Sequence, residues 1–88
     1  MSFFSQLFGT KYADDQLVAS ATKAINSDTH IHDPSTLLVL SKKGVVTLSG
    51  IVPKEQEKER IEGVVLEAFT TANLKHERLV NELKIPHI

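Results

Sequence analysis

Apolar residues recur along the chain with two different periods, and the changes between them mark out five elements. Leu17, Val18, Ala21, Ala24 and Ile25 return at helical spacing and form one stripe. Asp14 and Asp15 stand just before it, where carboxylates suit the N-cap and first turn at the positive end of a helix dipole. Asn26-Ser27-Asp28 ends this helix, and residues 28 to 36, with two histidines, two aspartates and Pro34, read as a polar connection. Leu37-Leu38-Val39-Leu40 is too short for a helix and is flanked by turn residues, so it reads as a strand that is apolar on both faces. Lys42-Lys43-Gly44 supplies a hairpin turn in which Gly44 is free to take a positive φ. In the returning strand, Val45 to Ile51, the residues Val46, Leu48 and Gly50 point towards the helices, and Val45, Thr47, Ser49 and Ile51 point away.

The helical period then resumes. Pro53 fits the first turn of a helix, where a missing N–H costs little, so Gly50 and Pro53 together launch the second helix. Lys54 to Arg60 is charged throughout, with Glu57–Arg60 and Lys58–Glu62 at pairing distance along a helix, and reads as an exposed face. Ile61, Val64, Val65, Ala68 and Phe69 make the second apolar stripe. Gly63 interrupts it at a cost of about 1 kcal/mol relative to alanine, which a closely passing backbone would explain. Thr70-Thr71-Ala72-Asn73 ends the helix, and a last strand follows with Leu79, Asn81, Leu83 and Ile85 mixed on two faces before Pro86 stops it. The order α-β-β-α-β predicts a small α+β sandwich over residues 14–86: a three-stranded mixed sheet with two helices packed on one face. An apolar arm, residues 1–13, precedes it. Gly44, Gly50 and Pro53 are its fold-determining turn residues.

Composition narrows the class of function more than its identity. Eighty-eight residues hold one core, and 41% hydrophobic with 24% charged residues is ordinary for a globular domain. A formal net charge of −1 argues against a general electrostatic grip on nucleic acid, and none is expected as a partner. Cysteine is absent, which removes thiol nucleophiles, disulfides and thiolate metal sites. No serine sits in a nucleophile-elbow pattern, and a strand occupies the interval from Gly44 to Gly50, so that stretch is not a phosphate loop. Glu55, Glu57 and Glu59 spread around an exposed helical turn instead of converging on a pocket. The expectation is a non-catalytic protein with no cofactor.

The helix from Asp15 to Ile25, the segment Gly44-Val45-Val46-Thr47-Leu48-Ser49-Gly50-Ile51-Val52, the helix through Val65 and the ending Val80-Asn81-Glu82-Leu83-Lys84-Ile85 together resemble the BON family. These are small bacterial domains found in osmotically inducible and nodulation-related proteins. Relatives usually carry a Gly-Val step just before the last strand, where this chain reads Asn73-Leu74-Lys75-His76-Glu77. The resemblance implies a non-catalytic α-β-β-α-β sandwich that binds a phospholipid surface, or a protein or ligand at the bacterial envelope, in osmotic or general stress. A narrower likeness is to cytoplasmic potassium-binding proteins, which pair such a domain with a LysM domain and start with a short apolar segment like Met1 to Phe8. It implies a small-ion sensor as one alternative. Self-association or protein interaction through the open sheet face, including a homodimer, is the other.

Two groups of residues are candidates for contact with a membrane or partner. Phe3, Phe4, Leu7 and Phe8 lie at spacings that would line one face of a short helix, with Lys11 the nearest basic residue. Such an arm can insert at a membrane interface, form a partner interface, or fold back over the outer face of the sheet, which two helices on the other side leave bare. Lys42 and Lys43 at the hairpin tip can meet phosphate, or simply be solvated and discourage edge pairing. Asp28-Thr29-His30-Ile31-His32-Asp33 has metal-ligand residue types, its histidines sharing a face if extended. A polar loop before Pro34 accounts for it equally, and no metal is assigned; His76 and His87 stand alone. The N-terminal segment lacks the positive start, longer apolar core and cleavage site of a secretory signal, so the expected location is cytoplasmic, with an envelope-associated or periplasmic one as the alternative.

Overall fold

A computed structural model describes residues 12–86, and Phe3, Phe4, Leu7, Phe8 and His87 lie outside them. Helix α1 spans Asp14–Ser27, a 3₁₀ turn Pro34–Thr36, strand β1 Leu38–Lys42, strand β2 Val45–Ile51, helix α2 Glu55–Thr71 and strand β3 Arg78–Lys84. The sheet order is β1-β2-β3. A tight hairpin makes β1 and β2 antiparallel, whereas β2 and β3 run parallel because α2 carries the chain back between them. This is the α+β arrangement expected from the alternating periods.

One core lies between the helices and one face of the sheet. Leu17, Ala21 and Ile25 of α1 meet Ile61, Val65 and Phe69 of α2 over Val39, Val46, Leu48 and Leu83 of the strands. Each fully buried Leu, Ile, Val or Phe contributes about 1.5–3 kcal/mol by leaving water. Because Val46 pairs with Leu79, and Leu48 with Asn81, the residues Leu79, Asn81 and Leu83 all face the helices. They are not mixed on two faces, since alternate positions of one strand share a side. Asn81 is satisfied there. Its amide donates to the Lys58 carbonyl at 3.2 Å and to Glu62 at 2.9 Å, and its Oδ1 accepts from the Leu83 N–H at 3.1 Å.

The connection between α1 and β1 is less polar than its composition suggests. Ile31 turns into the core and is only 5% exposed. Asp33 caps the 3₁₀ turn, accepting from the Ser35 hydroxyl at 2.7 Å and its N–H at 3.3 Å. Glu57 is buried, not exposed, and accepts a hydrogen bond from the His32 N–H at 2.9 Å. Arg60 reaches Asp28 at 3.0 Å, so among the described residues neither Glu57–Arg60 nor Lys58–Glu62 forms an ion pair. Burial pushes the Asp28 carboxyl up, but the His30 N–H and the Arg60 guanidinium outweigh it and hold it below its ordinary value.

Three glycine and proline positions resolve differently. Gly50 has φ +130°, and a Cβ there would overlap the Thr36 carbonyl oxygen, so the 3₁₀ turn needs glycine beneath it. Pro53 lies before the helix, not in its first turn; Lys54 is the N-cap and α2 starts at Glu55. No backbone passes Gly63: a Cβ at that position meets nothing within 4 Å. At the other end of α2, Asn73 takes φ +57° and closes a Schellman turn. The Leu74 N–H bonds the Phe69 carbonyl at 2.8 Å, and the Asn73 N–H bonds the Thr70 carbonyl at 3.1 Å. Asn73 thus supplies the left-handed step for which glycine is the usual residue.

Substitutions at the two internal glycines are expected to have opposite signs. Gly63→Ala should stabilise by about 0.5–1 kcal/mol, since it removes a helix penalty and meets no neighbour. Gly50→Ala should destabilise by roughly 2 kcal/mol or more through a positive φ and a backbone overlap. Urea midpoints of the two variants beside the parent chain check both.

Candidate functional site

The hairpin tip is built as a two-residue turn with Lys43 at φ 52° and Gly44 at φ 82°, between the paired Lys42 and Val45. Positive φ at both central positions is the type I′ geometry, which matches the twist of the flanking strands. Asparagine or glycine usually takes the first position, and lysine there carries a backbone cost. Asp14 offsets it. Its carboxylate accepts from the Ser41 hydroxyl at 2.7 Å and from the N–H groups of Lys43 at 2.8 Å and Gly44 at 2.9 Å. The residue before it, Ala13, is the helix N-cap without a side-chain bond, so neither aspartate is the N-cap, while both stand in the first turn as expected. The Ser41 hydroxyl and the turn amides draw the Asp14 carboxylate outward to the hairpin, while it stays near the positive end of its own helix.

Gly44 joins three segments. Its carbonyl accepts from the N–H of Glu77 at 2.7 Å, just before β3. The Tyr12 ring lies where a Gly44 side chain would be, 2.5 Å from the ideal Cβ position, and the Tyr12 hydroxyl donates to Glu77. That hydrogen bond, then burial and the Glu77 charge, push the Tyr12 phenol above its ordinary value. The whole cluster holds Lys42 and Lys43 outward, both exposed.

Above this tip stretches the face of the sheet that no described residue covers. Its registers place Lys42, Val45 and Arg78 in the first row, and Leu40, Thr47 and Val80 in the second. Leu38, Ser49 and Glu82 make the third row, and Ile51 with Lys84 the fourth. Leu38, Leu40 and Ile51 are 54%, 55% and 61% exposed. Val39 turns inward, so β1 is apolar on both faces, as its run of leucine and valine suggests. Among the described residues, Lys42, Lys43, Arg78 and Lys84 form no ion pair. Apolar side chains on the β1 edge and at Ile51, with free cations beside them, can meet a surface that is apolar inside and anionic at its boundary.

The remaining hollows are different in kind. A groove of about 430 Å³ between the helices is lined by small residues, among them Ser20, Ala24, Ala68 and Ala72. A cleft of about 520 Å³ opens at the far end of the sheet, beside Ile51, Pro53 and Pro86. His30 and His32 lie in a bent loop, where His30 approaches Arg60 at 3.1 Å and the backbone of His32 is tied to Glu57. Among the described residues no three His, Cys, Asp or Glu side chains gather to hold a metal ion. His76 packs against the Phe69 ring at 5.2 Å. No helix among the described residues is long and apolar enough to cross a membrane.

Fold and face together define a small two-layer α+β domain whose distinctive surface is a sheet face, not a pocket. The BON domain model matches residues 13–69, from just before α1 to near the end of α2, and the chain belongs to the BON domain family. No curated protein matches the chain. Tyr12 and Asp14 are the residues sequence reasoning missed at the tip; aspartate beside a helix start signals a cap, and nothing local separates that from a contact with a hairpin 27 to 30 residues away.

Replacing Asp14 tests how the tip is held. Asp14→Ala should cost about 2 kcal/mol at neutral pH, because it leaves two turn amides and a hydroxyl without their acceptor. The Ser41 hydroxyl, opposed by burial and helped by the Gly44 and Lys43 N–H groups, lowers the Asp14 carboxyl below its ordinary 3.8. A lowered carboxyl contributes stability that is present above the unfolded value and is lost as pH falls through the folded one. The difference between parent and variant in urea should therefore be constant above about pH 5 and shrink steadily below pH 4.

Proposed function

We propose that this BON domain is a non-catalytic module that docks on an anionic phospholipid surface through the sheet face opposite its helices. The observation that carries the reading is the exposed trio Leu38, Leu40 and Ile51 beside the free cations Lys42, Lys43 and Arg78. Large apolar side chains clustered in the open often mark a surface that something binds. The leucines enter the interfacial layer to the depth of a side chain, and the lysines at the tip remain with the phosphates. Each basic residue near an anionic surface contributes about 1 kcal/mol within a Debye length. Net charge does not oppose this, because the acidic residues of α2 lie on the opposite layer of the domain. The chemistry asked of the protein is adhesion: a sheet backed by the helices presents side chains that need no rearrangement.

Co-sedimentation of the full chain with vesicles of phosphatidylglycerol and phosphatidylcholine tests this directly. Binding should rise with the phosphatidylglycerol fraction and fall with salt. Leu38→Ser with Leu40→Ser should weaken it by about tenfold, through lost apolar burial. Lys42→Ala with Lys43→Ala should weaken it by roughly tenfold or more and flatten the salt dependence. Absence of the parent chain from the pellet at every composition would overturn the reading.

A further inference from the structure

We infer that the outer edge of β1 pairs with its own copy in a second chain, antiparallel about a two-fold axis at Leu40, joining two three-stranded sheets into one of six. This goes beyond the lipid reading and does not need it, because the edge lies beside the outward face and not on it. The sheet order leaves β1 and β3 as edges, and among the described residues nothing pairs with the outer side of β1. The two edges differ in how they are guarded. Three of the four outward residues of β3, Arg78, Glu82 and Lys84, are charged, whereas β1 carries Leu38 and Leu40 beside Lys42 alone. Charged side chains are the usual protection against edge pairing, and β1 has little of it.

The hairpin fixes which backbone groups are open. Lys42 and Val45 flank a two-residue turn and exchange hydrogen bonds with each other, and the alternation of an antiparallel ladder then gives Leu40 and Leu38 to β2 as well. The Val52 N–H donating to the Lys84 carbonyl agrees with this phase, since even positions of β2 then serve β3 and odd ones β1. Val39 and Ser41 therefore direct their N–H and C=O groups outward. On either side the next outward N–H is already used: Leu37 donates to the Pro34 carbonyl at 3.1 Å and Lys43 to Asp14 at 2.8 Å. An open edge of two residues meets a copy of itself in one register without loss. Val39 of each chain stands against Ser41 of the other, which makes four hydrogen bonds. A register shifted by two residues either way would set a spent N–H against an open carbonyl.

The side chains suit that register. Leu40 meets Leu40 of the second chain at a position without mutual hydrogen bonds, where Cα atoms approach to about 4.5 Å. Each Leu38 lies against the stem of Lys42 of the other chain, so the two lysines face leucine instead of each other. Leu38 and Leu40 of both chains, more than half exposed in each alone, become one patch. On the helix side α1 lies over β1, and its flank away from the groove of Ser20 and Ala24 presents Val18 and Thr22. Two such flanks can come side by side without burying a charge. A formal net charge of −1 adds little repulsion between copies.

The chain has no cysteine, so Leu40→Cys in the full-length protein puts a single thiol at the axis. Under mild oxidation most of it should become a covalent dimer, since Cα atoms at that spacing suit a disulfide. Leu38→Cys and Ile51→Cys, similarly exposed but off the axis, should stay single chains in the same assay. In sedimentation equilibrium without lipid, the parent should approach twice the mass of one chain as concentration rises. Leu40→Lys and Leu40→Glu should each stay at the single mass, with urea midpoints near the parent's, and their equimolar mixture should recover the double mass. A parent at single mass up to millimolar concentration overturns the inference and leaves the edge to a strand of another protein. A dimer unaffected by Leu40→Lys, or one that Leu38→Cys links as readily as Leu40→Cys, overturns the pairing about Leu40. Vesicle binding is measured separately. A chain that dimerises but leaves vesicles alone refutes the lipid reading only, and one that binds them as a strict monomer refutes the dimer only.

Discussion

The Asp14 carboxylate on the amides of Lys43 and Gly44 sits where three parts of the chain meet. Through it the start of α1 is fixed to the β1–β2 hairpin, and through the Gly44 carbonyl the hairpin is fixed to the start of β3. The β2–β3 pairing is parallel and needs a long crossover, so the point where β3 enters the sheet must be set by something other than a tight turn. Glu77 and Arg78 donating to Gly44 set it, at 2.7 and 3.4 Å. Gly44 cannot be exchanged, because its φ is positive and the Tyr12 ring fills the space of a side chain. Register then follows. With Val45 opposite Arg78, every odd position of β3 from Leu79 to Leu83 falls on the helix side.

Most of the architecture could be read from the periods of apolar residues, because both helices are amphipathic and the strands are short runs bounded by glycine, lysine and proline. What escaped that reading was long-range or solitary. Ile31 is one apolar residue in a polar stretch, with no period to reveal it, yet it enters the core. Glu57 stands in a run of charges that looks solvated, and it is buried because the preceding loop brings the His32 N–H to it. Asp14 bonds a hairpin about 30 residues away, and Arg60 takes Asp28 over Glu57 on its own helix, where an exposed i,i+3 pair contributes only about 0.2–0.5 kcal/mol. Asn73 shows the opposite case: the helix-ending cluster was readable, but only its φ shows that asparagine does the work of a glycine.

The candidate surface divides in the same way. That the sheet would have a bare side follows from two helices and three strands, and the apolar run of β1 indicates that this side is not wholly polar. Which cations frame it does not follow, since Arg78 and Lys84 are placed by the parallel register and Lys42 by the antiparallel one. The loop with two histidines and two aspartates looked like ligand chemistry by residue type. It is spent instead on structure: Asp28 on Arg60, Asp33 on the 3₁₀ turn, and the His32 backbone on Glu57.

The sheet contains its own comparison for judging whether the exposed leucines need an explanation. Outward positions of β3 are Arg78, Val80, Glu82 and Lys84, a mixture that water solvates readily. Outward positions of β1 are Leu38, Leu40 and Lys42, on an edge strand where unpaired backbone already invites association. Both strands border the same central β2 and face the same side, so strand propensity and core packing make no different demand on them. Threonine or lysine at 38 and 40 would preserve the fold and lower the hazard of aggregation. Folding therefore does not account for leucine at those two positions. Contact with an apolar partner, as proposed above, would account for it, and such a partner has to tolerate the cations of the adjoining row.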